Sequence, residues 1–264
     1  MGIWVKNLSY TYPRAGKPVL KNISFEARRG EITVIIGPNG VGKSTLFKAV
    51  LGLLEREGEV LADNCPLPAK AGGSLPAGLG YMTQEGALPS SLCVLNVVLL
   101  GKLGTLGLRV DPEDIEKASE ILNVLHLEQL AQRPFCSLSG GQRRLVDVAQ
   151  TLMREPGVLV MDEPTANLDM VNELQVMELV RAYTCHRKTA TIITLHDLNM
   201  AARYADRIVL LKDGEVFKTG APTEVITREN IQEVYGVKVQ ILSGEKGEIM
   251  VWPRGTVKRL EYQF

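Results

Sequence analysis

The sequence predicts an α/β fold built on a largely parallel sheet. Two observations carry this. Apolar, β-branched runs of strand length, at residues 31–36, 158–161 and 190–195, alternate with stretches whose apolar residues recur at helical spacing. A glycine-rich turn, Gly37–Ser44, joins the first of these strands to residues 45–51, which also have helical spacing.

Each element follows from its own residues. Residues 3–36 read as strands, with 19–26 followed by a turn at Arg28-Arg29-Gly30. Residues 64–78 are rich in Pro, Ala and Gly and read as a surface loop. A further strand near 79–83 ends at Gln84, and from about Leu88 the character becomes helical. Asp111-Pro112-Glu113-Asp114 predicts a helix start, with Asp111 as cap and Pro112 in the first turn. Ile115, Ala118, Ile121, Leu122, Leu125 and Leu127 then repeat at helical spacing, and the helical section continues to about Glu155. After Pro156 the apolar strand 158–161 ends in Asp162-Glu163, and strand 190–195 ends in His196. Short strand-like runs return at 237–241 and 248–251, and no internal repeat is visible.

Composition bounds the function. With 264 residues, of which 30 are basic and 30 acidic, the chain carries no net field that would favour nucleic acid or an anionic membrane. No apolar run approaches the ~18 residues that a membrane span needs. Residues 1–6 lead straight into a strand-like segment, so no signal peptide is expected. Cys65, Cys93, Cys136 and Cys185 lie far apart without a C-x-x-C pair, which predicts reduced, mostly buried thiols rather than a metal site.

The chemistry begins at Gly37-Pro38-Asn39-Gly40-Val41-Gly42-Lys43-Ser44, which fills every fixed position of G-x-x-x-x-G-K-[ST], the phosphate-binding P-loop. Its glycines let the backbone turn tightly, so that successive N–H groups point at phosphate oxygens. Lys43 reaches the β- and γ-phosphates, and the Ser44 hydroxyl is suited to Mg²⁺. In a parallel sheet, active residues collect at the carboxyl ends of strands, where Gln84, Asp162, Glu163 and His196 fall. An acid pair at such an end, after a P-loop, suits one acid to Mg²⁺ and the other to the attacking water.

Leu138-Ser139-Gly140-Gly141-Gln142 narrows the reading further. Over nearly its whole length the chain resembles the nucleotide-binding subunit of an ATP-binding-cassette (ABC) transporter. GPNGVGKST matches the P-loop, Gln84 the Q-loop, LSGGQ the signature and VLVMDEP the Walker B strand. Asn167-Leu168-Asp169 matches the D-loop, His196 the switch histidine and Tyr12 the aromatic that stacks on adenine. The resemblance implies a P-loop NTPase core with a mostly parallel sheet, an N-terminal antiparallel β subdomain and an inserted helical subdomain. Residues 1–87 and 156–264 would form the RecA-like core with its β subdomain, and 88–155 the helical signature subdomain.

The resemblance also implies the site. Tyr12, Gly37, Pro38, Asn39, Gly40, Gly42, Lys43, Ser44 and Thr45 would hold ATP from one subunit. Ser139, Gly140, Gly141, Gln142 and Asp169 would meet that ATP from the facing subunit of a head-to-tail homodimer. Ser44, Asp162 and Gln84 would hold Mg²⁺, and Glu163 would polarise water, with His196, Lys43 and Gln84 completing the catalytic set. The expected partners are integral-membrane permease subunits and, indirectly, a binding protein, with the chain peripheral on the cytoplasmic face of the cell membrane. The permease would dock on the section after Gln84, residues 85–108.

Residues 196–207, 220–227 and 234–237 resemble importers for siderophore-bound iron, haem and cobalamin, and residues 94–101 have a similar look. Lys102-Leu103-Gly104, Arg143-Arg144-Leu145-Val146, Asp147 and Gln150 depart from that group's usual pattern. They leave open cobalt, molybdate, manganese, zinc or a vitamin precursor as cargo, and a soluble ATPase with a regulatory or assembly role as the alternative.

Overall fold

The computed structural model describes residues 2–13, 16–70, 75–76, 78–84, 91–102, 110–244 and 248–257. The chain opens with β1 (Gly2–Tyr10), β2 (Leu20–Arg28) and β3 (Ile32–Ile36), followed by α1 (Lys43–Val50), β4 (Glu57–Ala62), β5 (Cys65–Pro66) and β6 (Leu79–Met82). Helices α2 (Val94–Leu99), α3 (Pro112–Val124) and α4 (Gly140–Met153) come next. Strand and helix then alternate through β7 (Val158–Met161), α5 (Met170–Arg187), β8 (Ala190–Thr194), α6 (Leu198–Tyr204) and β9 (Arg207–Lys212). The chain closes with β10 (Glu215–Gly220), α7 (Pro222–Val225), α8 (Arg228–Tyr235), β11 (Val237–Ser243) and β12 (Ile249–Thr256).

The six-stranded sheet has the order β10-β9-β3-β8-β7-β6. All its pairings are parallel except β9 with β10. A second sheet, β2-β1-β4-β5, is antiparallel throughout. Every residue of β3, β7 and β8 is buried, as expected for parallel strands covered on both faces. Side chains alternate between two cores. Ile32, Val34 and Ile36, Leu159 and Met161, and Ile208 and Leu210 face the core filled by α2–α6. Ile35, Val158 and Val160, and Val209 and Leu211 face the core that holds α1 and the antiparallel sheet. The β3 end that feeds the glycine-rich turn therefore sits mid-sheet, flanked by β8 and β9 and clamped from both faces.

Several expectations change. Cys65, Cys136 and Cys185 are exposed and Cys93 is half-buried, all with free thiols, so the expectation of mostly buried cysteines is corrected. Cys65 lies in the two-residue edge strand β5, Cys136 in a short turn before α4, and Cys185 in the last turns of α5, none of which faces a core. Asp111 does occupy the cap position of α3 with Pro112 in the first turn, but its carboxylate makes no capping bond. Ile115 is 41% exposed, because the buried stripe of α3 starts a turn later at Ala118 and Leu122. Of the apolar run expected to dock a partner, Val94, Val97, Val98 and Leu99 are buried in the core, while Leu92 is exposed. Residues 85–90 and 103–109 of that section, including Leu88, lie outside the described residues.

Candidate active site

The turn after β3 is shaped by what its glycines must avoid. A Cβ on Gly37 would stand 2.7 Å from the Leu211 carbonyl oxygen of β9. Gly42 has φ 107°, in the region that favours glycine, and caps α1. Lys43 starts that helix and is buried, and its ammonium curls back over the turn to donate to the carbonyls of Gly37 (2.7 Å) and Pro38 (3.2 Å). Burial lowers its pKa, and the carboxylates of Glu163 and Asp162 partly restore it.

A cleft of about 470 Å³ opens over this turn. Its walls bring together Tyr12, Asn39, Gly40, Gly42, Lys43, Ser44, Thr45, Gln84, Glu163 and His196, residues far apart in sequence. Tyr12 stands at one end, its hydroxyl 3.1 Å from Thr45 Oγ1 and its ring edge-on to Tyr10 at 4.9 Å. It is 39% exposed, so the contact with Tyr10 steadies one side of the ring while the side chain still reaches the cleft.

The other end is acidic. Glu163 follows β7 with φ 51°, a left-handed conformation unusual for a residue with a side chain. Its N–H donates to Thr194 Oγ1 at 2.8 Å, and the same hydroxyl donates to Asp162 Oδ1 at 2.8 Å. In the cleft, Gln84 Nε2 donates to Glu163 Oε2 at 2.9 Å, and His196 Nε2 lies 2.5 Å from Glu163 Oε1. Asp162 is 1% exposed, so it sits behind Glu163 rather than on the wall.

Arg144 explains why Gln84 and Glu163 stay together at this acidic end, and sequence reasoning missed it. It lies on the inner face of α4, is 6% exposed, and its guanidinium donates to the backbone carbonyls of Thr83 (2.8 Å), Gln84 (3.2 Å), Asp162 (2.7 Å) and Glu163 (2.6 Å). One planar fork thus ties the end of β6 to the end of β7. The signal in the sequence was an arginine one turn before Val148, on the buried side of an amphipathic helix. Thr194, which joins the backbone of Glu163 to Asp162, was also missed, since a threonine ending a β-branched strand carries no distinguishing mark.

The signature residues stand apart from the cleft. Ser139 caps α4, its hydroxyl accepting from Gln142 N–H (3.3 Å) while Gln142 Oε1 accepts from Ser139 N–H (3.1 Å). Ser139 and Gly140 are exposed, and a Cβ on Gly140 would meet nothing within 4 Å. Gly141 lies against Leu168 and Asn167, so this segment neighbours the turn that leads into α5. Asp169 caps α5, its Oδ1 accepting from Asn172 N–H at 2.9 Å. None of Ser139–Gln142 or Asp169 is among the described residues that line the cleft.

The donor set suits Mg²⁺ better than a softer metal. Of the residues expected to hold it, Ser44 and Gln84 line the cleft with a hydroxyl and an amide oxygen, while the Asp162 carboxylate stands behind Glu163 and would reach the ion through water. No cluster of three or more His, Cys, Asp or Glu positioned for a metal occurs among the described residues.

Comparison with known proteins agrees with the geometry. The family model for ABC transporters matches residues 20–166. The chain is similar to a hemin import ATP-binding protein of Rhodococcus jostii, 34% identical over 243 residues, covering 91% of this chain and 83% of the relative. Among solved structures it is similar to one described as an inward-facing conformation of a metal-chelate type ABC transporter, with TM-score 0.79, 26% identity, and coverage of 96% and 97% of the two chains. It is also similar to a dimeric ATP-binding cassette in a post-hydrolysis state bound to ADP and Pi, with TM-score 0.73, 29% identity, and coverage of 83% and 98%.

Removing the Arg144 fork leaves buried carbonyls without their donor. Arg144→Met is expected to lower stability by about 2–3 kcal/mol, read as a shifted urea midpoint. Arg144→Lys, which keeps the charge but not the fork, should recover about half of that. An unshifted midpoint in Arg144→Met would contradict this account.

Proposed function

Because this chain belongs to the ABC transporter family and is an ATP-binding ATPase subunit of it, we propose that it drives import of a metal chelate through a separate permease. Siderophore-bound iron, haem or cobalamin is the cargo class. The observation that carries the chemistry is the convergence of Gln84 and His196 on the Glu163 carboxylate, beside the glycine-rich turn and Lys43. The cargo class rests on the similarity to a hemin import protein and to a metal-chelate transporter structure.

The reaction is attack of water on the γ-phosphate of ATP. The new P–O bond forms to water, the bond to the ADP oxygen breaks, and the water's proton goes toward Glu163. Little covalent work falls to the protein, so positioning and charge dominate. Lys43 and the N–H groups of residues 37–45 stabilise the phosphate charge, while Tyr12 stacks on adenine. Glu163 orients and polarises the water, and His196 and Gln84 hold its carboxylate in place. Ser44, Asp162 and Gln84 would hold Mg²⁺, which would neutralise phosphate charge.

The site is completed by a second copy of the chain. Ser139, Gly140, Gly141, Gln142 and Asp169 lie off the cleft of their own subunit, and Gly140 faces open space. Helix α4 is 14 residues long, and its positive pole lies at the exposed Ser139–Gly140 end, as suits the γ-phosphate held by a facing subunit. Residues 88–155, with α2, α3 and α4 packed on one another, form the helical subdomain, and residues 1–87 and 156–264 the core. No helix among the described residues is long and apolar enough to cross a membrane. On its likeness to import ATP-binding subunits, the chain works from the cytoplasmic face, docked on permease subunits through the section after Gln84, with a binding protein delivering cargo.

Three outcomes are expected. Glu163→Gln should keep ATP binding, lose most turnover and accumulate an ATP-bound dimer on gel filtration; near-normal hydrolysis would sink the role given to Glu163. Ser139→Arg and Lys43→Ala should each be inactive alone, and mixing them should restore one of two composite sites and part of the activity. A monomer whose rate per subunit is constant on dilution would refute the shared site. Loss of the chain should reduce cellular uptake of a metal chelate; unchanged uptake of haem, siderophore iron and cobalamin would favour another nutrient or a soluble regulatory role.

A further inference from the structure

The C-terminal elements α8, β11 and β12 touch the catalytic machinery at two places without lining the cleft. The first is α6, the helix that follows His196. Val251 of β12 donates its N–H to Asn199 Oδ1 at 2.7 Å, and Asn199 Nδ2 donates to the Val251 carbonyl at 3.5 Å. Asn199 is also held by its own backbone, since its N–H donates to Asp197 Oδ1 at 2.6 Å. Val251 and, on the other strand of the hairpin, Val239 are each 5% exposed and belong to the core shared with the parallel sheet, so the hairpin is anchored.

The second place is the phosphate turn. Val234 of α8 walls a hollow together with Pro38, Asn39 and Gly40 of that turn. The next residue, Tyr235, packs partly buried against the same core; burial raises its pKa, and the nearby Gly37 backbone pulls it the other way. A Lys212–Glu233 ion pair and an Asn230 Nδ2 bond of 2.9 Å to the Val225 carbonyl fix α8 to β9 and α7. Gly236 alone separates α8 from β11, so both contacts belong to one unit.

We propose that α8 and the β11–β12 hairpin form a brace that sets the spacing between the phosphate turn and His196, with Asn199 and Tyr235 as its positioning residues. Asn199 acts through His196, which must stay at the Glu163 carboxylate. Tyr235 acts through Gly37, whose place sets the loop amides and the carbonyl that Lys43 grips. The inference rests on the roles proposed above for the turn and for His196. Small displacements of such groups are costly to rate, and the two contacts should affect different kinetic parameters.

The test uses the full chain with MgATP. Asn199→Ala should lower kcat about tenfold with KM within about twofold, and Asn199→Asp, which keeps the acceptor for Val251 N–H, should return kcat to within about threefold. Tyr235→Phe should raise KM, and the Kd for a fluorescent ATP analogue, about threefold while sparing kcat. The His196 ring signals in a long-range ¹H–¹⁵N spectrum should shift in Asn199→Ala and return in Asn199→Asp, whether or not the protein hydrolyses ATP. The brace is overturned if those ring signals stay unmoved, or if both Asn199 variants lose activity only in proportion to their folded fraction. Absence of hydrolysis in the wild-type chain would strike the proposed chemistry instead, leaving the ring signals and the analogue Kd to decide the brace.

Discussion

The left-handed backbone at Glu163 is the constraint on which the rest of the cleft depends. A residue with a side chain at φ 51° carries a cost of about 1–3 kcal/mol, and it persists only where its surroundings leave no alternative. Here the N–H is taken by Thr194 of β8 and the carbonyl by Arg144 of α4. Both partners are deeply buried, so neither can follow if the backbone relaxes. Rotation to an ordinary extended conformation would break both bonds and swing the carboxylate away from Gln84 and His196. The strain and the convergence are therefore one arrangement, with the strain stabilised from two adjacent elements.

The polar groups of the cleft bond to one another. Lys43 donates to Gly37 and Pro38, Gln84 and His196 meet on Glu163, and Tyr12 meets Thr45. A phosphate entering this space exchanges hydrogen bonds rather than adding them, so affinity is a difference between two bonded arrangements. The exchange suits Lys43 best. Its stem is buried and its ammonium already lies against the turn, so reorientation toward phosphate needs no new desolvation of the side chain. Under the proposed chemistry, Gln84 and His196 each take one carboxylate oxygen of Glu163, and the remaining lone pairs of those oxygens are left to receive the water.

Much of this was legible in the sequence. The strands 31–36, 158–161 and 190–195 announce themselves because burial on both faces requires unbroken β-branched apolar runs, and the phosphate turn because its glycines serve a local purpose. Gln84, Glu163 and His196 were placed correctly at strand ends and do share a cleft with Lys43. Arg144 was not legible, because its role is set by carbonyls on two distant strands, and a carbonyl has no residue identity. The cysteines were misjudged for a related reason: burial of a small, weakly apolar side chain follows the packing of its element, and edge strands and helix ends offer none. Asp111 shows the limit of cap rules, which place a helix start correctly and still leave the side chain's bond to local geometry.

Arg144 also gives the fold a mechanical property. Its helix, α4, begins at the exposed Ser139–Gly140 cap, and a turn later its guanidinium is bolted to Thr83, Gln84, Asp162 and Glu163. An α-helix is stiff over this distance, so the cap cannot shift along its axis without pulling on those four carbonyls. Under the proposed pairing of two copies, the cap of one subunit meets the phosphate held by the other. Closing on that phosphate would then load the Glu163 backbone of the subunit that owns the cap, which is the strained residue of its own cleft. Two sites coupled in this way need no separate relay, because the contact surface and the acid share one buried cation. The same bolt reaches Gln84, which stands at the start of the section proposed to meet the permease, so movement there and the geometry at Glu163 share a single fixed point.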